Sequence, residues 1–100
     1  MPATILTSGN TAQVNLSGEF DFSSQDELNL VFEKVISSPQ PIIQIDMQNT
    51  SFIDSSIIRM FLKLQETAKR NKKSMTITNC NERLYEIFTI GGFDQIFDIR

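Results

Sequence analysis

A chain of 100 residues, 40% hydrophobic and 21% charged, suits a single globular domain spanning residues 1–100 with one core. Its net charge of −3 argues against a nucleic-acid surface, which needs clustered Lys and Arg. With no His and one Cys, the chain cannot build Ser-His or Cys-His catalysis, a paired-Cys metal site or an internal disulfide. No window approaches the length of a membrane span, and the opening Met-Pro-Ala-Thr-Ile-Leu-Thr lacks the charged start and apolar run of a signal peptide. A soluble cytoplasmic protein without cofactor or metal is the simplest expectation, with neither nucleic acid nor membrane among its partners.

Residues 3 to 7 read as an edge strand, and Ser8-Gly9-Asn10 as the turn of a hairpin into Thr11–Leu16, where Ala12, Val14 and Leu16 alternate with polar residues. After Gly18-Glu19-Phe20-Asp21-Phe22, Ser24 and Glu27 have capping-box spacing. Leu28, Val31, Phe32 and Val35 then follow at helical intervals, and Pro39 and Pro41 end the first helix. Ile42, Ile43, Ile45 and Met47 suit a central strand covered on both faces, followed by a loop at Gln48-Asn49-Thr50. A second helix after Asp54 has Ile57, Phe61, Leu64 and Ala68 as its core stripe, with Arg59, Lys63, Glu66 and Arg70 opposite. Ile58 and Leu62 lie on the shoulder, about 100° around from that stripe. The basic run Lys69–Lys73 reads as a solvated helix end. Residues 74 to 78 alternate as a strand, Asn79-Cys80-Asn81 caps a helix carrying Leu84, Ile87 and Phe88, and Gly91-Gly92 closes it before a last strand over 96–99. The order β-β-α-β-α-β-α-β predicts a single-domain α/β sandwich with a mixed sheet, because a hairpin is antiparallel whereas helical crossovers give parallel neighbours.

Asp54-Ser55-Ser56 opens the second helix with three oxygen-bearing side chains, of which a cap uses one. At least one of the two hydroxyls is expected to face outward, at a helix end that favours an added anion. Phe52-Ile53-Asp54-Ser55-Ser56, preceded by Ile42-Ile43-Gln44-Ile45-Asp46 and by Gly18-Glu19-Phe20-Asp21, resembles the STAS domain of bacterial anti-sigma factor antagonists, over nearly the whole chain in the same order. That resemblance implies an acceptor at Ser55, the hydroxyl residue after the Asp, phosphorylated by an anti-sigma factor serine kinase and reset by a PP2C-type phosphatase. It also implies, weakly, that Asp21 belongs to the surface meeting the kinase. Where the family usually continues with Gly, this chain has Ile57 and Ile58, and a branched residue is expected to remove space beside the acceptor. STAS domains commonly carry one more helix after the last strand, ahead of which this sequence stops at Arg100.

The candidate partner surface is therefore Asp21, Asp54, Ser56, Ile58, Arg59 and Leu62 around the acceptor Ser55. Charge supplies the expected mechanism: phosphorylation adds about −1.5 to −2 charges to an already acidic patch and repels the partner. The competing reading is a non-switching module in which these residues only cap a helix, scaffolding a larger regulatory or transporter complex. Asp21, Asp46 and Asp54 each fall near the end of a predicted strand, where gathered acids could hold Mg²⁺ or accept a phosphoryl group. The opening hairpin argues against such a receiver. No Gly-rich phosphate loop and no base with a paired nucleophile is present, so no enzymatic activity is expected. Cys80 reads as an unactivated loop residue and Tyr85 as a packing residue.

Overall fold

The computed structural model describes residues 2–100. The hairpin forms as expected: β1 (Ala3–Ser8) lies antiparallel to β2 (Thr11–Phe20), turning at Gly9, whose φ of 57° a residue without Cβ adopts at no steric cost. Next come a 3₁₀ turn (Phe22–Ser24), α1 (Gln25–Ser37), β3 (Ile42–Ile53), α2 (Ser55–Arg70), β4 (Ser74–Thr78), α3 (Glu82–Ile90), a second 3₁₀ turn (Phe93–Gln95) and β5 (Asp98–Ile99). The sheet order is β1-β2-β3-β4-β5, with every pair after the first parallel. The last strand is shorter than the sequence suggested, because the second 3₁₀ turn takes up the chain before Ile96.

Each crossover steps one strand further in the same direction, so right-handed connections bring all three helices to one face of the sheet. The aromatic contacts show this directly. The ring of Phe61 in α2 sits 6.0 Å from Phe32 in α1 and 6.4 Å from Phe88 in α3, centroid to centroid. Into this layer point Val14, Leu16, Ile43, Ile45, Met47 and Ile77 from the sheet and the expected stripes of α1 and α2, all buried. The expectation that β3 is covered on both faces is corrected. Its alternate residues Gln44 and Asp46 stand in register with Gln13 and Asn15 of β2 and with Thr76 and Thr78 of β4, forming a polar, half-buried open face.

Two local expectations also change. Gln48-Asn49-Thr50 is not a loop: β3 runs on to Ile53, paired only with β2 beyond Asp46, as a two-stranded arm projecting past the rest of the sheet. Register shifts beside Ser17 and Gly18 accommodate the arm, and the buried Thr50 hydroxyl donates to the Leu16 carbonyl at 2.8 Å. Within the basic run, Lys73 is not simply solvated. Its Nζ donates to the carbonyls of Ser38 and Gln40, each at 2.6 Å, and ties the loop after α1 to the loop after α2.

Candidate functional site

The β2–β3 arm delivers two chain ends to one place: β2 ends at Phe20 beside Ile53, and the chains then turn into α1 and α2 respectively. Asp54 is the N-cap of α2, with extended backbone (φ −105°, ψ −179°). Its Oδ1 accepts from the Ser56 N–H at 2.9 Å, the Ile57 N–H at 3.2 Å and the Ser56 hydroxyl at 2.5 Å. Its Oδ2 accepts from the Phe22 N–H at 3.0 Å, across 32 residues of sequence. One carboxylate therefore caps α2 and holds the loop before α1 against it. The Ser56 hydroxyl is the main cause of a lowered Asp54 pKa, with partial burial opposing it and the Ile57, Phe22 and Ser56 N–H groups adding to the lowering.

The two hydroxyls separate as anticipated. Ser56 is half-buried and bound to Asp54, whereas Ser55, the first helical residue, is exposed and its hydroxyl has no hydrogen-bond partner among the described residues. Ile57 does not crowd it as expected: the Ile57 side chain is 0% exposed, turned into the core.

Asp21 comes to the same end of the molecule, next to the residue that Asp54 holds. It caps the 3₁₀ turn rather than α1, accepting from the Ser23 N–H at 2.9 Å and hydroxyl at 2.6 Å, while its own N–H donates to Ser24 Oγ at 3.1 Å. The expected Ser24–Glu27 box is thus replaced by an Asp21–Ser24 box one turn earlier, because the chain enters α1 through that 3₁₀ turn. Asp46 stays apart, on the open sheet face, where it accepts from Gln48 N–H, Gln13 and Asn79. Seven strand residues from Ile53, it lies on the order of 20 Å from Asp54. The described residues contain no group of three potential metal-ligating side chains.

On α2, Arg59 is exposed, one turn beyond Ser55. The outward position expected of Ile58 is corrected: it is 3% exposed and belongs to the core. Leu62 is half-buried and packed against that core. Ile58, Leu62 and Gln65 share a side of α2, and there the chain at the end of the second 3₁₀ turn lies close, the Gln65 amide donating to the Ile96 carbonyl at 2.9 Å. The apolar component of the surface comes instead from two residues the pattern did not single out. Phe22 is 74% and Phe52 44% exposed, one held by Asp54 through its N–H and the other two residues before it. The signal lay in Phe20-Asp21-Phe22, whose spacing suggests one strand face until the turn rotates Phe22 outward. Burial pushes the pKa of the Cys80 thiol up to about 11, which disfavours its thiolate form.

The model for the MlaB-type STAS domain matches residues 4–99. The chain belongs to the STAS domain family. This STAS domain is 30% identical to an anti-sigma-B factor antagonist of Bacillus subtilis over 92 residues, 90% of this chain and 82% of that one. It is 29% identical to a STAS-domain containing protein of Pseudomonas aeruginosa over 91 residues, 91% of this chain and 89% of the relative. Among solved structures, it superimposes on the anti-sigma factor antagonist SpoIIAA in its unphosphorylated form with a TM-score of 0.82 at 16% identity, covering 98% of this chain and 87% of that one. The β-β-α-β-α-β-α-β order and mixed five-stranded sheet are thus those of the family. No helix among the described residues is long and apolar enough to cross a membrane.

Replacing Asp54 by Ala in this STAS domain is expected to cost about 1–2 kcal/mol through the lost cap. For a domain of this size each kcal/mol lowers Tm by about 4–8 °C. Asp54→Asn should keep the α2 cap but leave only one oxygen for the donors on both sides, so the amide signals of residues 21–24 should shift most in NMR spectra. The pH dependence has a definite sign. A carboxyl with a folded pKa below its usual 3.8 stabilises the fold above that value and loses the contribution as pH falls through the lowered one. The Tm gap between wild type and Asp54→Asn should therefore be flat from pH 7 to about 5 and shrink below about 3.8. A gap that widens on acidification would contradict this assignment.

Proposed function

We propose that this STAS domain is an anti-sigma factor antagonist that binds an anti-sigma factor serine kinase while Ser55 is unmodified and is released when Ser55 is phosphorylated. The observation that carries this reading is the division of labour at the helix start. Ser56 is committed to Asp54, and Ser55 alone offers a free, exposed hydroxyl. Its relatives named as anti-sigma-B factor antagonists, and the existence of SpoIIAA in both an unphosphorylated and a phosphorylated form, support it.

The chain acts by binding and serves as a substrate rather than an enzyme. The kinase forms the bond from Ser55 Oγ to the γ-phosphorus of ATP, ADP leaves, and the hydroxyl proton passes to a base of the kinase. A PP2C-type phosphatase hydrolyses that bond and restores the hydroxyl. A phosphate at the first residue of α2 sits at the positive end of the helix dipole, so the fold accommodates it. The same phosphate adds about −1.5 to −2 charges between Asp54 and the Asp21 loop, where a partner shaped for a neutral serine meets repulsion. In the unmodified state Phe22 and Phe52 supply exposed aromatic area of the kind enriched at the core of protein interfaces.

Intact-mass measurement of the protein from its native cell, with fragmentation, tests the reading. An acid-stable phosphoryl group on Ser55, present under some growth conditions and absent under others, is expected. A phosphoryl group confined to an aspartate, or none under any condition while partners are still recovered, would overturn it.

A further inference from the structure

Away from the Ser55 end, α1 and α2 run side by side in the same direction, since both return from the carboxyl end of a parallel strand. Between them lies an open groove of about 440 Å³. Its floor is apolar, made by Phe32 and Ile36 of α1 and by Met60 and Leu64 of α2. The groove continues past Gln25 and Arg59 to Ser56, the neighbour of the acceptor serine. From Gln25 to Ser37 the wall of α1 is twelve residue steps long, about 18 Å. The two walls differ in sign. Glu33 stands on the α1 side, and Arg59 and Lys63, one turn apart, stand on the α2 side. The ion pair formed among the described residues is Asp98–Arg100, so no salt bridge closes the groove and these three charges are available to a partner.

We propose that the α1–α2 groove is the docking site of an amphipathic helix from a partner protein. The partner's apolar stripe fills the floor, an acidic row lies along Arg59 and Lys63, and a basic residue faces Glu33. A helix of about three turns matches that length and would be read through anchors at i, i+3, i+4 and i+7. Met60, unbranched and adaptable, lets the floor mould itself to those anchors. Other occupants fit less well. A small molecule is normally enclosed over most of its surface, whereas this groove is open along its side. A second copy offers the same concavity, and two concave surfaces facing each other leave a void. The groove also explains how charge at Ser55 would be sensed, because a phosphate there stands at the end of the docked acidic row and repels it. That link rests on the switching role proposed for Ser55; the docking itself does not.

The test places the photo-crosslinker p-benzoylphenylalanine at Met60 of the full chain in its native cell, and separately at Asn29 on the groove rim in case the Met60 variant packs poorly. Gln44 on the open sheet face is the control position. The expected result is an adduct from Met60 or Asn29 and not from Gln44, mapped by fragmentation to a segment with helical apolar spacing and an adjacent acidic row. Combining Arg59→Glu with Lys63→Glu should cut the yield about tenfold or more by setting like charges against that row, with Tm unchanged. Yield no higher than at Gln44, a crosslink to a lipid acyl chain or to a second copy, a captured segment without the pattern, or indifference to the charge reversal would each overturn the proposal. Repeating the capture with Ser55→Asp separates the two ideas. Loss of the adduct supports the link between groove and switch, whereas an undiminished adduct leaves the groove standing and counts against the switch alone.

Discussion

Replacing Ser55 by Asp is expected to weaken the proposed complex with an anti-sigma factor kinase on the order of 100-fold, about 2.7 kcal/mol, the scale of one like-charge contact in a partly desolvated interface. Ser55→Ala should bind within about twofold of wild type, because that hydroxyl makes no hydrogen bond that the fold depends on. Stability tells repulsion from misfolding. An acid at the first turn of a helix is favourable by about 0.3–1 kcal/mol, so the Ser55→Asp protein should melt no lower than wild type. Ser56→Ala is the control for position. It removes the hydroxyl that donates to Asp54 at 2.5 Å and should cost about 1 kcal/mol of stability while leaving the switch intact. Titration calorimetry against the purified kinase, with thermal melts of all four proteins, reads these outcomes. Equal binding by Ser55→Asp and Ser55→Ala would remove charge as the switching principle.

The largest effect on stability should come from Phe61→Ala. Phe61 is fully buried and stands at the junction of the helical layer, with ring centroids 6.0 Å from Phe32, 6.4 Å from Phe88 and 6.4 Å from Phe97. Removing the ring deletes contacts to α1, α3 and the chain before β5 together, and the surrounding rings are too large to collapse into the space. A loss of about 3–5 kcal/mol follows, a large share of the 5–15 kcal/mol that holds a domain of this kind. In thermal denaturation that corresponds to a fall in Tm on the order of 20 °C. Phe61→Leu, which retains most of the volume, should lose distinctly less. A fall under about 5 °C for the alanine variant would mean that α3 does not depend on this contact. Because Asp54 caps the same helix, the variant also links the core to the site: a loosened α2 should weaken the proposed kinase binding even with Ser55 intact.

Much of this architecture was written in periodicity. Leu28, Val31, Phe32 and Val35 in α1 and Ile57, Phe61, Leu64 and Ala68 in α2 are all buried, because spacing along a helix fixes which side chains share a face whatever the neighbours are. The alternation of Ala12, Val14 and Leu16 was equally readable, as was the outward position of at least one hydroxyl after Asp54, while the structure decided that Ser56 is the one bound and Ser55 the one left free. What escaped was whatever depends on a distant segment. Ile58 lies on the shoulder of its helix, and its burial was decided by what the rest of the fold packs against that side. Gln48-Asn49-Thr50 has loop composition, yet pairing with a bulged β2 keeps it extended and carries the site clear of the sheet. The bond from the Phe22 N–H to Asp54 spans 32 residues and left no local trace, although it fixes the loop carrying Phe22 at the start of α2. The same holds for the groove between α1 and α2. Each wall is visible in its own helix, but Glu33 and Lys63 come to line one groove only because right-handed crossovers place the two helices parallel on one face. Local spacing alone thus specified which residues share a helix face and that at least one hydroxyl after Asp54 faces outward, since those follow from local geometry. The tertiary structure alone decided which faces meet, because that depends on contacts between segments far apart in the chain.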